Sequence, residues 1–356
     1  MSSRQAVRRV LRDRLSMKIR HKIFLALVVV VSVAGGLFAG SLYIAAAKWR
    51  SPAAAEVNIL PGTPVKGIAD QLAKERVICA PRLFGLYARF TGVGDKLHAG
   101  TYNFPAGTTM VAALDKLVKG EVHQYTFTVI EGWTIKDIAK ALADQPFLAS
   151  AETPKKFVEL CSDPSFIKEL GFEEVPSLEG YLFPDTYLVT RPLTAKTLIR
   201  QMVRHFNQVW KSLDRIKLVN IRLTPREALI LASIVEKETG VPEERPIIAS
   251  VFLNRLHQGI ALQSDPTIIY GLKDFDGNIR WRDKVNPHPY NTYVHAGLPP
   301  GPICNPGKAS LEAVLQPAKT TYLYFVSKNN GTHHFSERHD DHLKAVRKYQ
   351  IEGQRD

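Results

Sequence analysis

Residues Thr224 to Gly240 read TPREALILASIVEKETG, a helix with a marked start and a marked stop. Thr224 and Glu227 have the spacing of a capping box, in which each side chain bonds the other's backbone N–H. Pro225 suits the first helical position, where an N–H would be unpaired anyway. The helix is expected to run to Thr239 and stop at Gly240, with Pro242 beyond. At about 100° per residue from Ala228, the residues Ile230, Leu231, Ile234 and Val235 form an apolar face centred at about 270°. Glu236 falls at about 80°, on the opposite side, and is expected to be solvated. Glu238 falls at about 280°, within the apolar face. Burial penalises a charged carboxyl, and so does the negative end of the helix dipole. Glu238 is therefore expected to stay protonated towards neutral pH, as proton donation to a leaving oxygen requires. Geometry alone leaves a second reading open, a carboxylate paired to a basic group at the helix end.

Downstream, a second helix is expected from about Glu243 to Gln258, with Ile247, Ile248, Val251, Phe252 and Leu256 on its buried face. Asn254 and Arg255 read as polar-face residues there. Upstream, Thr153-Pro154 opens a helix to Cys161, and Leu193 to Leu213 is amphipathic. Between them, Leu178 to Tyr187 is rich in Gly, Pro and aromatics, which fits a packed turn; an aromatic wall of a sugar cleft is the other reading.

Further upstream the chain echoes itself. Val57-Asn58-Ile59-Leu60-Pro61-Gly62-Thr63, followed by Ile68-Ala69 and Leu72-Ala73, matches Phe127-Thr128-Val129-Ile130-Glu131-Gly132-Trp133, followed by Ile138-Ala139 and Leu142-Ala143. Each copy is an alternating strand, a Gly turn and a helix with apolar residues at i, i+3 and i+7. A weaker third copy runs from Gly107 to Leu117. This unit resembles the LysM module, which implies binding of N-acetylglucosamine polymers; generic β–α packing without a ligand is the alternative.

Residues 23–47 form an uncharged run, IFLALVVVVSVAGGLFAGSLYIAAA, long enough to cross a bilayer as a helix. A signal-peptide core is shorter, so an uncleaved anchor is expected. Ten of the 47 Lys and Arg but one of the 34 acids lie in residues 1–50, which leaves +4 of the net +13 for the remainder. The basic tail before the span places the N-terminus in the cytoplasm and the body outside. That location of the charge argues against nucleic-acid binding. The expected organisation is a cytoplasmic tail at 1–22, a transmembrane helix at 23–47, a linker at 48–56, LysM-like β/α modules at 57–150 and a mixed α/β catalytic domain at 151–356. The overall class is α+β. Cys79, Cys161 and Cys304 lack any ligand spacing and read as apolar fillers, although one disulfide would be possible in an oxidising compartment. His333, His334, His339, Asp340, Asp341 and His342 also lack a familiar metal-ligand pattern, and neither a metal nor another cofactor is expected.

Several motifs in fixed order resemble the YceG-like family of endolytic murein transglycosylases. They are ASIVEKET at 232–239, ASVFLNRL at 249–256, LQSDPTIIYG at 262–271, YNTY at 290–293, GLPPGPI at 297–303 and NPG at 305–307. EGY at 179–181, PDT at 184–186, Glu131-Gly132 and AGTY at 99–102 also match, as does the N-terminal anchor. The resemblance implies cleavage of the β-1,4 bond between N-acetylmuramic acid and N-acetylglucosamine in nascent strands, leaving 1,6-anhydro ends. It implies that the essential acid is the Glu before Thr in EKET, here Glu238. It also implies work beside cell-wall synthases (penicillin-binding proteins), terminating glycan strands. Within that frame Gln263, Ser264, Asp265, Asn291 and Tyr293 are the candidate substrate-binding residues, with loop hydrogen bonding as their alternative role. Asp265, in a Gln-Ser-Asp-Pro turn, is either loop-shaping or substrate-facing.

Overall fold

A computed structural model describes residues 21–352 apart from 23, 42, 43, 45–47, 146, 147, 149–151 and 192. The uncharged run is helical: α1 covers Phe24–Ser41, and no part of this span is buried by the rest of the protein. A core helix of a soluble domain would be covered, whereas this one is apolar and long enough for a bilayer. The chain divides by its contacts into one unit of residues 1–124 with 190–192 and a second of 125–189 with 193–356.

In the first unit β1 (Ala55–Ile59) is followed by α2 (Val65–Lys74), α3 (Pro81–Phe90), β2 (Gly100–Phe104) and α4 (Met110–Lys119). The two strands pair antiparallel, with Val57 opposite Tyr102. Alternation sends Val57, Ile59, Tyr102 and Phe104 inward, against Ile68, Leu72, Phe84 and Leu117 of the helices. Thr109 caps α4 by accepting from Ala112 N, and Gly120 ends it in the left-handed conformation.

The second unit begins with β3 (Tyr125–Thr128) and α5 (Ile135–Ala143), the second copy of the echo. Sequence similarity groups this copy with residues 57–124, but contact does not. β3 pairs antiparallel with β4 (Thr186–Val189), and α5, capped by Thr134 and Asp137, packs on α6 (Glu152–Leu160). The short α7 (Pro164–Glu169) follows, and Tyr181, Phe183 and Tyr187 are buried, so this aromatic stretch is core and not a cleft wall. Then come α8 (Ala195–Ser212), α9 (Lys217–Ile221), α10 (Pro225–Glu238) and α11 (Arg245–His257). Next come α12 (Asp265–Gly271), α13 (Trp281–Lys284), α14 (Lys308–Leu315), β5 (Tyr324–Ser327), β6 (His333–Ser336) and α15 (His339–Val346), followed by a π-helical turn at Arg347–Glu352. β5 and β6 pair antiparallel. Among the described residues the strands form two-stranded sheets only, with helices making the bulk of a mixed α/β fold.

The centre of the second unit is α10. Its capping box is made as expected, Thr224 Oγ1 accepting from Glu227 N at 3.2 Å and Glu227 Oε2 from Thr224 N at 2.8 Å. Every residue from Ala228 to Val235 is buried, because α11 and α14 both pack against it. Covered on several sides, α10 leaves its last turn open at Lys237 but not at Glu236, which corrects the expectation for Glu236. Its side chain is 6% exposed, accepts from Gly307 N at 2.9 Å and lies 3.6 Å from Arg245 Nη2. The helix ends one residue earlier than expected, since Thr239 is extended at φ −148°. Cys161 and Cys304 are buried, Cys79 is exposed, and all three are free.

Candidate active site

Glu238 is the last residue of α10, and its side chain enters a cleft of about 400 Å³. Asp265, Gln263, Tyr293, Arg255 and Lys284 share that cleft, with Phe325 and His333 from the β5–β6 hairpin. Ser264, the residue before α12, is buried and donates its hydroxyl to Glu238 Oε1 at 2.5 Å. No hydrogen bond from the described residues reaches Oε2. Burial pushes the Glu238 carboxyl up to about 7; Asp265 adds to the rise, while the Ser264 hydrogen bond and Arg255 oppose it. A carboxyl in that range can give up a proton and take one back near neutral pH.

The hydroxyl of Ser264 is aimed by its own backbone. Ser264 N donates to Thr292 Oγ1 at 3.0 Å, and Thr267 Oγ1 donates to Ser264 O at 2.6 Å. Gln263 N donates to Thr292 O at 3.1 Å, with Gln263 itself at a positive φ of 53°. Strain of this kind persists only where surrounding bonds hold it. Arg255 supplies them: its Nη1 donates to Ala261 O at 3.0 Å and Leu262 O at 2.8 Å, and its Nε to Leu323 O at 2.6 Å.

The structure brings Glu238, Gln263, Asp265 and Tyr293 together at the cleft, and Tyr293 OH donates to Asp265 Oδ1 at 2.7 Å. Asp265 thus faces a side chain of the cleft, not its own turn. Ser264 lies behind the surface, against the acid. Asn291 departs from the substrate-binding expectation. It is 1% exposed, and its amide donates to the carbonyls of Asp283, Lys284 and Asn286. With both hydrogens committed it anchors its loop to the end of α13. Arg255, expected on a polar face, is buried instead. The signal was available, since Arg255 stands three residues after Phe252 and four after Val251, on the apolar stripe.

A second buried acid lies elsewhere in this unit. Glu179, 4% exposed, accepts from Ile135 N at 3.1 and 3.2 Å, from Tyr270 OH at 3.3 Å and from Asn305 Nδ2 at 3.1 Å. Burial raises it to about 7 as well, against the effect of those hydrogen bonds.

The family model for the YceG-like family matches residues 57–348. The chain belongs to the YceG-like family. An endolytic murein transglycosylase of Bacillus subtilis strain 168 is 33% identical over 336 residues, spanning 89% of this chain and 91% of that protein. A protein of the same name from Streptococcus pneumoniae R6 is 31% identical over 317 residues, spanning 82% of this chain but 57% of the longer pneumococcal protein. A crystal structure of a YceG-like protein from Listeria monocytogenes superposes with a TM-score of 0.54 at 30% identity, covering 83% of this chain and 100% of that one. The family match spans residues of both units.

Proposed function

We propose that this protein is an endolytic murein transglycosylase that cleaves the bond between N-acetylmuramic acid and N-acetylglucosamine with Glu238 as its single acid and base. The observation that carries this is Glu238 itself, held near pKa 7 in a cleft with one oxygen on Ser264 and the other unbonded by the described residues. Glu238 protonates the leaving glycosidic oxygen, and an oxocarbenium-like state develops at the muramic carbon. The sugar's own 6-hydroxyl then attacks that carbon and gives its proton to Glu238, which restores the acid and leaves a 1,6-anhydro end. No water is consumed, so a second carboxylate for activating water is not required. Ser264 acts as a positioning residue, and Gln263, Asp265 and Tyr293 are the side chains available to the substrate in the cleft. Asn291 serves by holding the loop that carries Tyr293, whose N–H it accepts at 3.0 Å.

On this reading α1 is a membrane anchor with the N-terminus in the cytoplasm and both units outside, beside nascent strands and the synthases that make them. The LysM-like echo supplies a second grip on the glycan, and cutting within new strands terminates them. Digestion of purified peptidoglycan followed by mass spectrometry tests the chemistry. Anhydro-muramic ends, one water lighter than reducing ends, are expected. Reducing ends would instead identify a hydrolytic muramidase. If Glu238→Gln left both cleavage and sacculus binding intact, the assignment of the acid would have to be given up.

A further inference from the structure

The cations of the cleft are not equivalent. Arg255 gives its N–H groups to the carbonyls of Leu323, Ala261 and Leu262 and to Gln263 Oε1 at 3.4 Å. His333 Nδ1 is taken by Glu244 at 2.7 Å. Burial, with His339 and Arg255 nearby, holds His342 below the usual imidazole range. Lys284 differs. It lies at the end of α13 on the cleft wall, and among the described residues no carboxylate lies within 4.0 Å of its ammonium and no hydrogen bond engages it. The ammonium sits 5.0 Å over the Tyr293 ring, and that ring is itself fixed by the Tyr293–Asp265 hydrogen bond. Among the described residues, Lys284 is thus a cation on the wall of the acid's cleft with no ionic or hydrogen-bonding partner, held over the Tyr293 ring.

A glycan backbone of N-acetylated sugars is neutral and offers an ammonium no ionic partner. In murein the negative charge hangs from the muramic lactyl arm, as the carboxylates of the stem peptide. We propose that Lys284 binds a stem-peptide carboxylate and so makes the cleft select glycan that still bears its peptides. This deepens the transglycosylase reading and rests on it. A lysine fits the task as a flexible point charge able to follow a mobile carboxylate.

The test compares two substrates with the full-length protein: uncrosslinked strands with intact stems, and the same strands stripped by an amidase, which frees the lactyl carboxylate. Wild type is expected to favour intact strands in kcat/KM. In Lys284→Met the ratio of intact to stripped should fall at least fivefold, through KM, while Lys284→Arg keeps most of it. Added salt should lower the wild-type ratio more than that of Lys284→Met. An unchanged ratio in Lys284→Met, or a loss confined to stripped strands, overturns the proposal, the latter because the ligand would be the lactyl carboxylate. Failure of the wild type to cut either substrate would instead remove the transglycosylase reading.

Discussion

Glu238 and Glu179 lie in the same unit, are both raised to about 7 by burial, and have opposite surroundings. Glu179 is walled in by four hydrogen bonds from Ile135, Tyr270 and Asn305, and Asn305 in turn accepts from Leu182 N at 3.0 Å. It ties the start of α5, the 179–182 turn and the loop before α14 into one cluster. Among the described residues Glu238 has one side-chain hydrogen bond, and a cleft lies in front of it. A raised carboxyl is thus no mark of a reactive acid by itself. What separates the two is unspent hydrogen-bonding capacity facing a space that a substrate can fill.

The largest effect that would break this contrast is in catalysis. Glu238→Gln should lower cleavage by about 10³-fold, the range for loss of a general acid, with the fold intact by circular dichroism. Glu179→Ala should leave the cleavage rate per folded molecule within about twofold but cost roughly 3 kcal/mol of stability in denaturant unfolding, because buried donors lose their acceptor. If the two substitutions exchanged these effects, the roles of the two acids would be exchanged as well.

Smaller changes sharpen the comparison on the Glu238 side. Ser264 donates to Glu238 and stabilises its charged form, so Ser264→Ala should move the basic limb of the kcat profile upward and lower kcat by about tenfold. Asp265 repels that charged form, so Asp265→Asn should move the same limb downward. Shifts in the same direction would refute the electrostatics assigned to the site. Stability against pH gives the smallest expected effect. Both glutamates have folded values above the ordinary 4.5, so the folded state binds the extra protons. Their contribution is complete below about 4.5 and is lost as pH rises through about 7. The melting temperature should therefore decline between about pH 5 and 8, less steeply in Glu238→Gln, which removes one of the two titrating groups.

Much of this site was legible along the chain, and for local reasons. The capping box, the helix it opens and the Gly turns depend on residues a few positions apart, so α10 and the carboxylate at its end could be placed along the chain, although the same periodicity misread Glu236. Neighbours distant in sequence were not legible. Glu236 reads as solvent-facing on an isolated helix and is buried only because Gly307 and Arg245 close over it. Asn291 has the composition of a sugar-binding side chain, but two backbone carbonyls of α13 and one of the loop after it take its amide.

By itself the sequence determined that the segments opened by Thr224 and around 153–161 and 193–213 are helical, and that one apolar run can span a bilayer, because periodicity and capping act over one or two turns. The tertiary structure alone decided that β3 pairs with β4, that Ser264 rather than a basic residue meets Glu238, and that Lys284 lies over the Tyr293 ring in the cleft with no carboxylate partner among the described residues. Those outcomes depend on which distant groups arrive at hydrogen-bonding distance, and a linear spacing does not encode that.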